Sequence, residues 1–278
     1  MKWTNNEGLP QALFDSITQD DHRVKGNYSV TELIGPPQIS FLRRQHKGEM
    51  VDDAANHIYR VLGTGFHRMM AESAGPDAVT ERTITAMIKG PGPTLYGTPD
   101  LYDPKTKTLW DYKTSSIWVF KDGVKPEYKW QSHLYRWLLE RVGHPVERQS
   151  IIAIYRDWSK PKSRTERGYP RRQVEVFDIR PISLQRIEYY IQDRLAQHEA
   201  DPVPECTVDE KWEKPTRFAV MKTAASKRAT KLHDHYGDAR DHAAKIGGMV
   251  QTRKGVRTRC EAYCPVAKFC SQKAKEDA

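Results

Sequence analysis

The stretch GTPDLYDPKTKTLWDYKTSS, residues 97–116, reads as a β-hairpin: two strand-like runs flank the turn sequence DPKTKT. Asp100 lies on the first strand, Asp111 and Lys113 on the second. Residues two apart in a strand share a face, so Asp111 and Lys113 project together while Trp110 and Tyr112 project from the other side. The turn brings Asp100 toward Asp111. Two carboxylates converging on one point repel unless a cation sits between them, and Mg2+ or Mn2+ prefers such oxygens while keeping waters for chemistry. A lysine beside that ion can hold a phosphate or orient an attacking water. Ordinary solvated strand charge is the rival reading, and the flanking sequence has to choose between them.

Upstream, VTERTITAMIK at 79–89 is a further strand separated from the hairpin by GPGP, so the spacing predicts a three-stranded antiparallel meander. Before it, Ala55, Ile58, Leu62, Phe66 and Met69 recur at helical spacing, which predicts a helix over 52–73 with one apolar face and with His67 on it. The run from Tyr28 to His46 predicts a short capped helix broken by Pro36 and Pro37. After the hairpin come an amphipathic helix in EYKWQSHLYRWLLERVG, strands in QSIIAIYRDWS and QVEVFDIR around a basic loop at 159–172, and a helix over 183–199. This order predicts an α/β fold with a mixed sheet flanked by helices. Residues 1–27 are polar and read as a loosely held N-terminal segment.

The chain has 278 residues, 45 Lys and Arg against 36 Asp and Glu, and a net charge of +9, which makes a polyanion a natural partner. The first residues lack the apolar core of a signal peptide, and no eighteen uncharged apolar residues run together, so a cytoplasmic protein without a membrane partner is expected. Composition changes beyond DPVPE at 201–205: residues 211–259 hold thirteen Lys and Arg but four acids, with little apolar periodicity. Cys260, Cys264 and Cys270 crowd the C-terminus, with Cys206 as a distant fourth thiolate. In a reducing compartment such clustering indicates metal before disulfides.

With TPD at 98–100 and DYK at 111–113, the sequence resembles the PD-(D/E)XK nuclease superfamily, RecB-type exonuclease branch. GTGFHRMMAE places Gly63 and His67 four apart and looks like the branch's G-x-x-x-H motif; WQSHLYRW places Gln131 and Tyr135 like its Q-x-x-x-Y motif. The resemblance spans about residues 28–200 and returns at the cysteines. It implies a restriction-endonuclease-like core over 28–200 and a basic, cysteine-stapled module over 201–278. It also implies a Mg2+ or Mn2+ ion held by His67, Asp100, Asp111 and the Tyr112 carbonyl, with Asp100, Asp111 and Lys113 catalytic. Gln131 and Tyr135 would then contact the DNA strand. Glu81, where the branch often has an acid, reads equally as a solvated charge and stays outside the expected metal shell. The implied activity is exonucleolytic hydrolysis of DNA with a free end, in recombination or end processing, in a bacterial or phage context, with a single-strand annealing protein as a possible partner. A structure-specific endonuclease and a non-catalytic DNA-binding scaffold are the alternatives.

The pattern C-x3-C-x5-C lacks the C-x-x-C knuckles usual for zinc, and a proline follows Cys264. Cys206, Cys260, Cys264 and Cys270 are therefore read as holding a [4Fe–4S] cluster. Structural Zn2+ and reduced thiols remain the alternatives. Similar C-terminal sets occur in the CRISPR-adaptation nucleases and the AddB subunit, where the isolated cysteine precedes the core. Here Cys206 follows it, so the staple would close residues 207–259 into a loop, a basic region that reads as too poor in apolar residues to order itself.

Overall fold

The structure is a computed structural model and describes residues 2–18 and 26–277. The chain forms two compact units, one drawn from Met1–Gly35 and Lys47–Val203, the other from Pro36–His46 and Pro204–Ala278. The division falls a few residues beyond the expected 200/201 boundary, and residues 36–46 join the second unit. Among the described residues no helix is long and apolar enough to cross a membrane.

The first unit runs β1 (Lys2–Thr4), α1 (Gln11–Thr18), β2 (Tyr28–Ser29) and α2 (Val30–Ile34). The chain then passes through α3 (Pro37–Gln45) of the second unit and returns as β3 (Val51–Asp53), α4 (Ile58–Ser73), β4 (Val79–Thr80), β5 (Ile84–Met87) and β6 (Thr94–Gly97). It continues as β7 (Leu101–Asp103), β8 (Thr108–Ser115), α5 (Pro126–Arg141), β9 (Arg148–Tyr155), α6 (Lys160–Thr165), β10 (Val174–Ile179) and α7 (Leu184–Glu199). The main sheet has the order β10-β9-β8-β7-β4, and within it β8 and β9 are parallel while the remaining pairs are antiparallel. The mixed α/β class is therefore present.

The expected continuous meander is not. β5 and β6 pair with each other and with β2 in a separate three-stranded sheet, and the chain changes sheets between Gly97 and Leu101. At the break, Gly97 is closely packed: a Cβ there would lie 2.7 Å from Tyr135 Cε1 and 2.8 Å from Val30 Cγ2. Pro99 follows and cannot donate to a ladder.

The N-terminal segment is also not loose where it is described. β1 pairs with β3 in parallel, Ile17 of α1 is fully buried, and Asp53 accepts hydrogen bonds from Thr4 Oγ1 at 2.6 Å and Asn6 N at 2.9 Å. Residues 19–25 of that segment lie outside the described residues.

The core joins α2, α5 and α7 to the sheets through Leu33, Leu95, Leu109, Leu134, Trp137 and Ile187. α5 has Pro126 in its first turn, Glu127 beside it and Arg141 at its end, as capping and the helix dipole favour. α4 behaves differently. It buries none of its residues, and Ile58, Leu62 and Met69 of its expected apolar face are exposed. Its period was correct, but the helix rests on the molecule's surface instead of in a layer.

The second unit adds β11 (Glu213–Lys214), β12 (Arg217–Met221), β13 (Lys231–His233), α8 (Tyr236–Ile246), β14 (Met249–Arg253), β15 (Val256–Arg257) and α9 (Ser271–Asp277) to α3. β13-β12-β14 form an antiparallel sheet on which α8 packs, with Val220, Ala239 and Ala243 buried against Phe218 and Val250. α8 ends at Gly247, whose φ of +64° suits the left-handed cap that glycine supplies. The basic region thus has a small core of its own. The expectation that it could not order itself without a staple is corrected by these few apolar residues, Phe218, Val220 and Val250 on strands too short to show a clear period and Ala239 and Ala243 four apart on α8.

Candidate metal centre

β8 carries the centre of the site. Asp111 is 2 % exposed, and its Oδ2 lies 2.6 Å from Lys113 Nζ. Apart from that ammonium, neither Asp111 oxygen accepts a directed hydrogen bond. Burial, opposed by Lys113 and reinforced by Asp100, lifts the Asp111 carboxyl above the usual carboxylate range. Burial acts against the Lys113 charge, but Asp111 and Asp100 outweigh it and hold the ammonium above its ordinary pKa. Lys113 Nζ also sits 5.3 Å from the Tyr128 ring centroid.

Asp100, immediately before β7, is fixed by the Tyr112 backbone N–H, which donates to its Oδ2 at 2.7 Å. Its Oδ1 faces His67 Nδ1 of α4 at 3.3 Å. Glu81 joins from the bend between β4 and β5, with Oε1 3.7 Å from the same nitrogen. The donor atoms of His67, Glu81 and Asp100 all lie within 4.8 Å of one another. Hydrogen bonds to Asp100 and Glu81, opposed by burial, raise His67 to about 10. A cluster of two carboxylates and an imidazole, with the buried Asp111 carboxylate beside the Lys113 ammonium nearby, is a donor set that suits a hard divalent cation.

Glu81 is the residue that the sequence reading left out. It has φ +47°, a left-handed conformation uncommon for a glutamate. The bend turns its side chain toward His67; strand alternation gives no warning of that. Gly63 lies one turn before His67 on α4. A Cβ there would meet Thr114 Oγ1 at 3.5 Å, an ordinary contact, so the helix does not need a glycine to approach the sheet. The T-shaped contacts of Phe66 and His67 with Tyr112 hold α4 over β8 instead.

On α5, Gln131 Nε2 donates to Tyr135 Oη at 3.1 Å. Tyr135 is 6 % exposed, and burial raises its hydroxyl pKa. It packs in the core beside Gly97, so a direct contact with a DNA strand would have to come through Gln131, which is partly exposed.

The four cysteines meet within the second unit. Cys206, Cys260, Cys264 and Cys270 line one cavity with Leu42, Lys211 and Gln272, and none is in a disulfide. Burial, then the Glu210 carboxylate and the other cysteines, push the Cys206 thiol up to about 12; Cys260 and Cys264 are also raised, chiefly by burial. Four thiols placed where their thiolates repel are suited to a bound cation or cluster. The ends of the module are also tied without metal. Gln272 accepts from Cys206 N at 2.9 Å and donates to its carbonyl at 3.0 Å, while the buried Lys211 reaches Glu213 at 2.9 Å and Glu276 at 2.8 Å.

No protein-family model matches the sequence, and no curated protein matches it. Among solved structures, the chain is similar to the crystal structure of SSO0001, with 19 % identity and a TM-score of 0.44, over 66 % of this chain and 81 % of that one.

Proposed function

We propose that the chain is a divalent-metal-dependent deoxyribonuclease acting at DNA ends. The observation that carries this reading is the Asp111–Lys113 pair beside the His67–Glu81–Asp100 trio: three carboxylates, an imidazole and an ammonium gathered where an exposed helix lies across a buried strand. His67, Glu81, Asp100 and Asp111 would hold a Mg2+ or Mn2+ ion, which supplies Lewis acidity and a water of lowered pKa when bound. Tyr112 orients Asp100 through its backbone N–H. Lys113, 2.6 Å from Asp111, would hold the scissile phosphate or orient and activate the attacking water. Exposed Arg164, Arg167 and Arg172 add salt-sensitive phosphate contacts. In the second unit the four cysteines fit a [4Fe–4S] cluster, or alternatively Zn2+, in a structural role.

The test is a digest of end-labelled and circular DNA with Mg2+ or Mn2+. An exonuclease shortens the labelled ends and spares closed circles. Cleavage of circles favours the endonuclease alternative, and binding without any product in either metal favours a scaffold.

A further inference from the structure

We propose that the corner where β8 and β9 end is a stacking platform for unpaired bases of a DNA strand, built from Tyr59 and Trp118 with Arg156 and Lys121. The inference deepens the nuclease reading of the neighbouring site by naming its substrate as single-stranded, or frayed, DNA.

Tyr59 is 60 % exposed and Trp118 64 % exposed, so neither ring is being used as core. A cation lies over each: Arg156 Cζ is 3.7 Å from the Tyr59 centroid and Lys121 Nζ is 5.2 Å from that of Trp118. Arg156 and the turn that leads to Trp118 and Lys121 are tied to one corner. Arg156 N donates to Ser115 O at 2.9 Å, and Asp157 accepts from Ser116 Oγ at 2.6 Å and Ile117 N at 2.9 Å, pinning the turn that presents Trp118. Ser115 is two residues beyond Lys113, about 7 Å along the strand.

The ground beyond the corner is basic and rigid. Residues 156–172 carry seven Lys and Arg against Asp157 and Glu166. Trp158 Nε1 donates to Pro170 O at 2.9 Å, and Tyr169 Oη accepts from Ser159 N at 2.9 Å, which holds this segment over Ile117 and Phe120. Exposed aromatic rings paired with cations, next to a positively charged track, match the chemistry of bases and phosphates in an unpaired strand. An apolar protein partner would leave the cations unsatisfied. A duplex keeps its base faces covered, so it can use only the charges.

The test uses the full chain in EDTA, with fluorescence anisotropy of a labelled oligothymidine and of a blunt hairpin duplex. Tyr59→Ala and Trp118→Ala should each weaken oligothymidine binding by about 5- to 50-fold. Tyr59→Phe and Trp118→Phe should stay within about threefold, because stacking needs the ring and not its polar group. Duplex affinity should change less than twofold, and melting curves should match the parent. Unchanged oligothymidine affinity, or an equal loss on both DNAs, overturns the platform. Since no cleavage is measured, failure of the nuclease reading would appear separately, as selective single-strand binding by a protein that yields no product with Mg2+ or Mn2+.

Discussion

Lys113 Nζ lies 2.6 Å from Asp111 Oδ2 in a site where the carboxylate is 2 % exposed, so each group depends on the other for its charge. Replacing Lys113 by Ala leaves a buried carboxylate uncompensated and should lower stability by about 3–5 kcal/mol at pH 8 in metal-free protein. Burial already raises the Asp111 pKa, so the folded state takes up a proton before the unfolded state does, and stability falls as pH rises above the ordinary carboxylate value. The loss in Lys113→Ala should therefore shrink at pH 5. Thermal melts at the two pH values measure this. Cleavage should vanish in both Lys113→Ala and Asp111→Ala, with DNA affinity kept within a few-fold; an active Lys113→Ala protein would remove the site assignment.

His67, raised from 6.5 to about 10, must lose its proton before its nitrogen can bind metal. In metal-free protein its ion pairing stabilises the fold fully below pH 6.5, and that contribution is lost as pH rises toward 10. Metal affinity runs the other way. Calorimetry should find Mn2+ binding tightening by up to about tenfold per pH unit between pH 7 and 9, with one proton released. His67→Ala should bind more weakly and lose most of this slope.

Glu81→Gln keeps the size of the side chain and removes a charged oxygen from the trio. The Mn2+ concentration for half-maximal cleavage should rise about tenfold or more. An unchanged requirement would return Glu81 to a solvated charge.

Two glycines should respond in opposite directions. Gly97→Ala drives a methyl group against Tyr135 and Val30 and should cost about 1–3 kcal/mol. Gly63→Ala, in the interior of α4, meets only an ordinary contact with Thr114 of β8 and should be neutral or up to about 1 kcal/mol stabilising. Denaturant midpoints of the two variants decide the point.

Anaerobically purified protein should be brown and contain about four irons per chain. One zinc in a colourless protein would replace the cluster by the alternative metal. Cys260→Ser should lose the metal and loosen the 204–216 and 255–277 segments, while β12–β14 and α8 keep their protection from hydrogen exchange, because their apolar contacts do not involve the cysteines.

The sequence alone determined those features that rest on local periodicity and chain order. Alternation along β8 put Asp111 and Lys113 on one side, the turn at 103–108 returned Asp100 to them, and a 3.6-residue period made α4 a helix that carries His67. What only the tertiary structure decided depends on contacts between residues far apart in the chain. The chain switches sheets after Gly97, where Tyr135 and Val30 fill the space a side chain would need. The exposure of α4 follows from where the helix lies and not from its composition. Glu81 enters the site through a bend with positive φ, and β1 is ordered by a parallel partner 49 residues away. Cys206 meets Cys260, Cys264 and Cys270 because β11–β15 pairing, Gln272 and Lys211 bring the two segments together. Periodicity reports which face of an element is apolar; it carries no information on what that face will meet, and burial, ligand geometry and pKa are all set by that meeting.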